Sequence, residues 1–180
     1  MNDDFSTLSL IEVAAAISER RVSCVEVTKN CLRRIETYGK RLNCIAGIDP
    51  EAALNAAKNA DKDIASGRVR GPLHGVPLAH KDLFYRAGRI SACGSVILGD
   101  FIPSQTATVL TRLDQAGALD IARLNMVEFA LGPTGHNEIT GTPHNPWKEE
   151  YITGGSSSGP ASAVAAGLVY GSLGSDSGGS

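Results

Sequence analysis

Residues 153–180 have the sequence T-G-G-S-S-S-G-P-A-S-A-V-A-A-G-L-V-Y-G-S-L-G-S-D-S-G-G-S, and the rest of the chain is organised around them. Sixteen of these 28 residues are Gly or Ser, yet the middle is too apolar for a flexible linker. Small apolar residues from Ala161 to Val169 predict a buried helix between two Gly/Ser loops. Such loops let backbone N–H groups approach a ligand and form an anion-binding concavity. We therefore expect hydroxyls and N–H groups to converge here, as in an oxyanion hole.

The composition is that of one ordinary soluble domain. The chain has 180 residues, 42% hydrophobic and 20% charged, with a formal net charge of −2. No basic excess indicates nucleic-acid binding, and no apolar run approaches the roughly 18 residues of a membrane span. The N-terminal segment M-N-D-D-F-S-T is acidic and lacks the basic region of a secretory signal.

The cysteines and histidines indicate neither disulfides nor a metal site. No pair has C-x-x-C spacing, so reduced thiols and a cytoplasmic location are expected. The histidines have no recognisable ligand spacing, and no metal is predicted. The residues concerned are Cys24, Cys31, Cys44, Cys93, His74, His80, His136 and His144.

Helices alternate with short strands along residues 9–124, which predicts an α/β architecture. Two S-x-x-E capping boxes, Ser9–Glu12 and Ser23–Glu26, each precede a helical apolar pattern, and the second helix is predicted to run to Tyr38-Gly39. Asp49-Pro50 predicts a third helix start. The predicted strands are 44–48, 76–80 and 118–124; a further helix is predicted at 108–116; and residues 86–106 and 125–155 are predicted to be mostly irregular.

Ser180 follows an acid and two glycines and is a candidate nucleophile that would need a base. Lys81, at the end of a predicted strand, is the candidate base. A lysine acts as a base only when neutral, and moving its pKa from about 10.4 to near 7 costs roughly 4–5 kcal/mol, which burial can supply. From the residues alone, a surface lysine and ordinary glycine turns remain alternative interpretations.

Two other interpretations of the glycine loops are weaker. Gly155–Gly159 matches G-x-S-x-G, the nucleophile elbow of α/β-hydrolases, but residues 145–154 are a poor buried strand and no His follows. A nucleotide-binding module would require G-x-x-x-x-G-K-[ST], which is absent.

Five motifs occur in order along the chain: G-P-L-H-G-V-P-L-A-H-K-D (71–82), N-M-V-E-F-A-L-G (125–132), H-N-P-W (144–147), G-G-S-S-S-G-P-A-S-A-V-A-A-G (154–167) and L-G-S-D-S-G-G-S (173–180). With these motifs the sequence strongly resembles the amidase signature family over nearly its whole length. The resemblance implies an amidase signature fold, with a mixed β-sheet covered by helices on both faces.

The resemblance also implies a Ser–cis-Ser–Lys triad. By motif, the nucleophile is Ser180, the bridging serine is Ser156 and the lysine is Lys81. The bridging serine of the family follows a cis peptide bond, which here is Gly155–Ser156. The implied oxyanion donors are the backbone N–H groups of Ser177, Gly178, Gly179 and Ser180, and Ser157 and Asp176 are expected to support the two loops through hydrogen bonds.

The sequence departs from the family pattern at several positions. Ser158 replaces a Gly, and Pro160 lies at the first turn of the predicted helix, where proline is acceptable. Ser175 and Ser177 lie where Thr is frequent. Asp120 lies in a strand that is normally apolar at that position.

The resemblance implies hydrolysis of a carboxylic amide in a small molecule, without metal or organic cofactor, nucleic acid or membrane. The alternative is the A subunit of a glutamine-dependent tRNA amidotransferase, which releases ammonia for a partner subunit. Whether the chain forms a homodimer is left open. We expect residues 1–70 to form a helical N-terminal region and residues 71–180 the catalytic core. Because the sequence stops directly after D-S-G-G, we expect an N-terminal portion of a longer protein.

Overall fold

A computed structural model describes residues 5–180, and the elements follow the predicted alternation. The strands are β1 (Ile45–Ile48), β2 (Pro77–Lys81) and β3 (Leu119–Leu124). The helices are α1 (Leu10–Ser18), α2 (Cys24–Arg34), α3 (Lys40–Leu42), α4 (Pro50–Ala65), α5 (Thr108–Gln115) and α6 (Ser158–Ala165). Short 3₁₀ turns lie at Phe5–Thr7 and Glu128–Ala130. In the described range, no helix has the length and apolar character needed to cross a bilayer.

The predicted helix starts are confirmed. The side chains of Ser9 and Ser23 each accept a hydrogen bond from the backbone N–H of the glutamate three residues later. The backbone N–H of each serine donates to the carboxylate of that same glutamate, which completes both capping boxes. Asp49 caps α4 through a bond from the Ala52 N–H, and Pro50 occupies the first turn. These caps satisfy N–H groups that the helices themselves leave without partners.

The second helical run reaches Gly39, as predicted, but its pitch changes on the way. α2 ends at Arg34, a π-helical turn spans Ile35–Gly39, and α3 follows until Asn43 takes the left-handed conformation at φ 48°. A Cβ on Gly39 would lie 3.1 Å from Ile45, so the wider turn lies where the chain packs closely on β1. The apolar pattern shows the buried face but not this change of helical pitch.

The sheet is mixed, with the order β1-β3-β2. β3 lies in the centre, antiparallel to β1 and parallel to β2. The second Gly/Ser loop extends this arrangement, because the N–H groups of Ala79 and Lys81 donate to the carbonyls of Gly171 and Leu173. The loop therefore runs beside β2 and brings residues 173–180 to the end of the strand that carries Lys81.

Helices α2, α4 and α6 contact the sheet and enclose the core. α4 presents Ala53, Ala57 and Ala60, at helical spacing, to the interior. These small residues allow α2 to pack closely against α4. The largest apolar side chains that are fully buried are Val13, Ile17, Val27, Leu42, Val76, Leu110, Leu124, Met126 and Leu168.

The predicted buried helix over residues 161–169 is only partly correct. α6 begins at Ser158 and ends at Ala165, and Ala161, Val164 and Ala165 are exposed. Gly167, at φ 63°, ends the helical run, so Leu168 and Val169 are buried beyond the helix. At the other end, Gly159 lies directly against the main chain of Asn125, where a Cβ would not fit. Contact with the residue that follows β3 thus fixes the start of α6.

Candidate active site

Lys81 is the last residue of β2, and its side chain is 1% exposed. Its amine lies among three hydroxyls: Ser156 Oγ at 2.5 Å, Ser175 Oγ at 2.7 Å and Ser157 Oγ at 3.1 Å. The structure therefore brings Lys81 and Ser156 into direct contact, although 75 positions separate them in sequence.

The two Gly/Ser loops meet at this lysine. The peptide bond Gly155–Ser156 is cis, as expected, and Ser156 is fully buried at the start of the segment that leads into α6. The Ser157 hydroxyl donates to the carbonyl of Ser175 at 3.2 Å and accepts the Ser175 N–H at 3.2 Å. One serine side chain thus connects the loop before α6 to the loop after it.

Burial lowers the pKa of Lys81 from its ordinary value of 10.5 to about 8. The main cause is loss of solvent around the ammonium, and the negative charge of Asp176 acts in the opposite direction. An appreciable fraction of the amine is therefore neutral near pH 8. This is the protonation state that a general base requires.

Ser180 does not join this cluster through a hydrogen bond. Its hydroxyl is buried, and within residues 5–180 it has no hydrogen-bond partner. The N–H groups of Gly179 and Ser180 donate to the Asp176 carboxylate at 2.7 and 3.1 Å, and these bonds lower the pKa of Asp176. Two of the four expected oxyanion donors are thus bonded to this carboxylate, and the backbone N–H of Gly178 also helps to lower its pKa.

A buried ion pair lies directly after Lys81. Asp82 is 2% exposed, and its carboxylate accepts a hydrogen bond from Arg123 Nη1 at 2.6 Å and the N–H of Ala92 at 3.1 Å. Its backbone N–H donates to the Leu124 carbonyl, and its carbonyl accepts the Cys93 N–H. Burial raises the pKa of Asp82, which the Arg123 cation partly offsets. Asp82 thus connects the end of β2 to β3 and to the loop that contains Ala92 and Cys93.

Asp120, which departs from the family pattern, is explained by two arginines. Its Oδ2 accepts hydrogen bonds from Arg86 Nε at 2.6 Å and from Arg89 Nη2 at 2.7 Å, and Arg86 also pairs with Asp114. These groups line a cavity of about 840 Å³ between α4 and β3 that does not include Lys81. The cavity is therefore separate from the cluster of hydroxyls around Lys81.

Sequence reasoning missed Ser175 as a contact of Lys81, although it noted the residue as a departure from the family. The available signal was the density of serines in the segment 172–180. Which of them reaches the lysine depends on the pairing of residues 171–173 with β2, and that is a tertiary property.

Similarity to known proteins agrees with this geometry. The family model described as Amidase matches residues 26–180. The chain belongs to the amidase family. It is 47% identical over 178 residues to a Mycobacterium tuberculosis protein assigned as an amidase, AmiD, covering 99% of this chain and 37% of that protein. It is 45% identical over 173 residues to the A subunit of the Glutamyl-tRNA(Gln) amidotransferase of Geobacter sulfurreducens, covering 96% and 36%.

Solved amidase structures share the fold. Peptide amidase from Stenotrophomonas maltophilia superposes with a TM-score of 0.85 at 32% identity, covering 92% of this chain and 35% of that one. A fatty acid amide hydrolase superposes with a TM-score of 0.92 at 28% identity, covering 98% and 32%. The chain thus spans about a third of the length of the amidases it matches.

Proposed function

We propose that this amidase hydrolyses a carboxylic amide through an acyl-enzyme on Ser180, with Ser156 and neutral Lys81 as the proton relay. The observation that carries the proposal is the buried Lys81 amine, 2.5 Å from Ser156 Oγ. A buried amine that has a lowered pKa and a short hydrogen bond to a fully buried hydroxyl is suited to general-base catalysis.

In the proposed reaction, Lys81 takes the proton of Ser156, and Ser156 takes that of Ser180. The Ser180 oxygen attacks the amide carbonyl carbon, and the carbonyl π electrons move to its oxygen. The tetrahedral intermediate collapses as the C–N bond breaks, and the leaving nitrogen receives the proton back through Ser156. Water then attacks the ester by the same relay, which releases the acid and restores Ser180.

We further propose that backbone N–H groups of Ser177, Gly178, Gly179 and Ser180 hold the developing oxyanion. The donors of Gly179 and Ser180 are bonded to Asp176 in this structure. On substrate binding, the amide oxygen would therefore have to replace the carboxylate at these donors. Asp176 acts in this scheme as the group that keeps the loop ordered until a substrate arrives.

A second candidate is the amidotransferase role. The Geobacter relative is named as one component of a Glu-tRNA(Gln) amidotransferase, at nearly the same identity as the mycobacterial amidase. In that role the same chemistry would release ammonia from glutamine for a partner subunit. Glutaminase activity that appears only with a partner subunit would favour it, whereas turnover of amides by the protein alone would favour the hydrolase.

We propose a cytoplasmic location for this amidase, and the state of the thiols supports it. All four cysteines are free and buried, and burial raises the pKa of Cys24 and Cys31 to about 12. Protonated, inaccessible thiols are compatible with the reducing cytoplasm that we propose for this amidase.

Treatment with a fluorophosphonate tests the proposal. A fluorophosphonate phosphonylates an activated serine, whose oxygen displaces fluoride from phosphorus, so we expect a single adduct, mapped by peptide mass spectrometry to Ser180. The other exposed and buried serines provide internal controls in the same digest. An adduct on a different serine, or none on the folded protein, would reject Ser180 as the nucleophile.

The rate of this labelling should rise with pH. The pKa of Lys81 is lowered to about 8, so the amine is mostly protonated below that pH and mostly neutral above it. We expect the rate to increase roughly tenfold per pH unit below the midpoint and to level off above it. Labelling from pH 5 to 9, corrected for reagent hydrolysis, measures this. A flat profile would contradict the base assignment.

A further inference from the structure

The Lys81 amine has a third hydroxyl partner in addition to Ser156 and Ser157. This is Ser175, whose Oγ lies 2.7 Å from Nζ. We propose that Ser175 is a positioning residue that completes a shell of three accepting hydroxyls around the Lys81 ammonium and directs the neutral amine toward Ser156. The inference rests on the function proposed above, in which Lys81 is the base.

The hydrogen bonds of the Ser157 hydroxyl fix its role toward Lys81. Its one proton is donated to the Ser175 carbonyl, and its oxygen accepts the Ser175 N–H. Toward Lys81 it therefore serves only as an acceptor. The hydroxyls of Ser156 and Ser175 have no such second commitment among their hydrogen bonds, and both contact the amine. Each of these two hydroxyls can therefore either donate a hydrogen bond to Lys81 or accept one from it.

The charged and neutral lysine need different arrangements. An ammonium has three N–H donors and no lone pair, so it is satisfied when Ser156, Ser157 and Ser175 all accept. A neutral amine has two N–H donors and one lone pair. If Ser157 and Ser175 keep the two N–H groups, the lone pair points to Ser156. Ser156 then donates its proton to the lysine and is free to accept another.

Ser175 acts differently from the charges near the lysine. Asp176, in the loop after α6, favours the cation through its charge. Cys93, in the loop after β2, is a buried thiol whose pKa is raised by burial, so it carries no charge near neutral pH. Asp82, the next residue along the chain, is paired with Arg123. Ser175 is uncharged, so its influence comes from one hydrogen bond. Removing its hydroxyl isolates that bond.

The test is the pH dependence of fluorophosphonate labelling in Ser175→Ala. A buried ammonium that loses one acceptor is destabilised more than the neutral amine. We therefore expect the rising part of the profile of labelling rate against pH, the rising limb, to move to lower pH by about one unit. Ser175→Thr, which keeps the hydroxyl, should leave the limb at its original pH. Ser172→Ala is the matched control, because its hydroxyl bonds the Leu173 carbonyl and not the lysine.

A readout independent of activity is the ¹³Cε chemical shift of Lys81 in protein labelled with [ε-¹³C]lysine, titrated against pH and assigned with Lys81→Met. The isosteric pair Ser175→Thr and Ser175→Val gives the same comparison should Ser175→Ala fold poorly. A lower rate at every pH, with neither limb nor chemical-shift titration displaced, would overturn the inference. If the wild-type protein is still labelled at Ser180 and its labelling rate still rises with pH, the proposed function keeps its support. The two failures are therefore distinguishable.

Discussion

Lys81→Ala is expected to slow amide hydrolysis and fluorophosphonate labelling by about 10³- to 10⁴-fold. The amine is the nearest proton acceptor of Ser156, and no other titratable group makes a hydrogen bond to that hydroxyl among the described residues. Without it, the proton of Ser180 has no route away from the reacting atoms. Steady-state kinetics with a chromogenic anilide measure the loss, and kcat should fall with little change in KM.

The controls for this prediction separate chemistry from packing. Lys81 is fully buried, so Ala leaves a cavity, whereas Lys81→Met fills nearly the same volume without a base. Both variants should be equally inactive, and Lys81→Met should keep the wild-type thermal stability more closely. Lys62→Ala, on the exposed side of α4, should be fully active. Activity retained in Lys81→Met would remove the lysine from the mechanism.

Asp82→Ala is expected to lower the free energy of unfolding by about 3–5 kcal/mol. The substitution leaves the Arg123 cation, only 18% exposed, without its carboxylate. It also leaves the Ala92 N–H without its acceptor. Urea unfolding followed by circular dichroism measures the effect.

The matched comparison for Asp82 is Asp63→Ala. Asp63 also pairs with an arginine, but the partner Arg68 is 70% exposed, so water replaces the lost contact. That change should cost about 0–1 kcal/mol. Similar losses for Asp82→Ala and Asp63→Ala would show that the buried pair does not stabilise the end of β2.

Local patterns predicted the elements whose signals lie within a few residues. The capping boxes at Ser9 and Ser23 and the Asp49-Pro50 start were confirmed, because a cap is a contact between residues three apart. The strand that ends at Lys81 was also found, since the apolar residues from Val76 to Ala79 directly precede His80 and Lys81. The π turn at Ile35–Gly39 was not found, because it depends on how the chain packs on β1.

The amino-acid sequence by itself determined which family this chain belongs to, because the motifs around Lys81, Ser156 and Ser180 are local patterns. The tertiary structure alone decided that Ser175 reaches the lysine and that Gly179 and Ser180 donate to Asp176. It also decided the burial that lowers the pKa of Lys81 to about 8. Desolvation and hydrogen bonds across 75 to 94 positions depend on which segments pack together, and no short window of sequence carries that information.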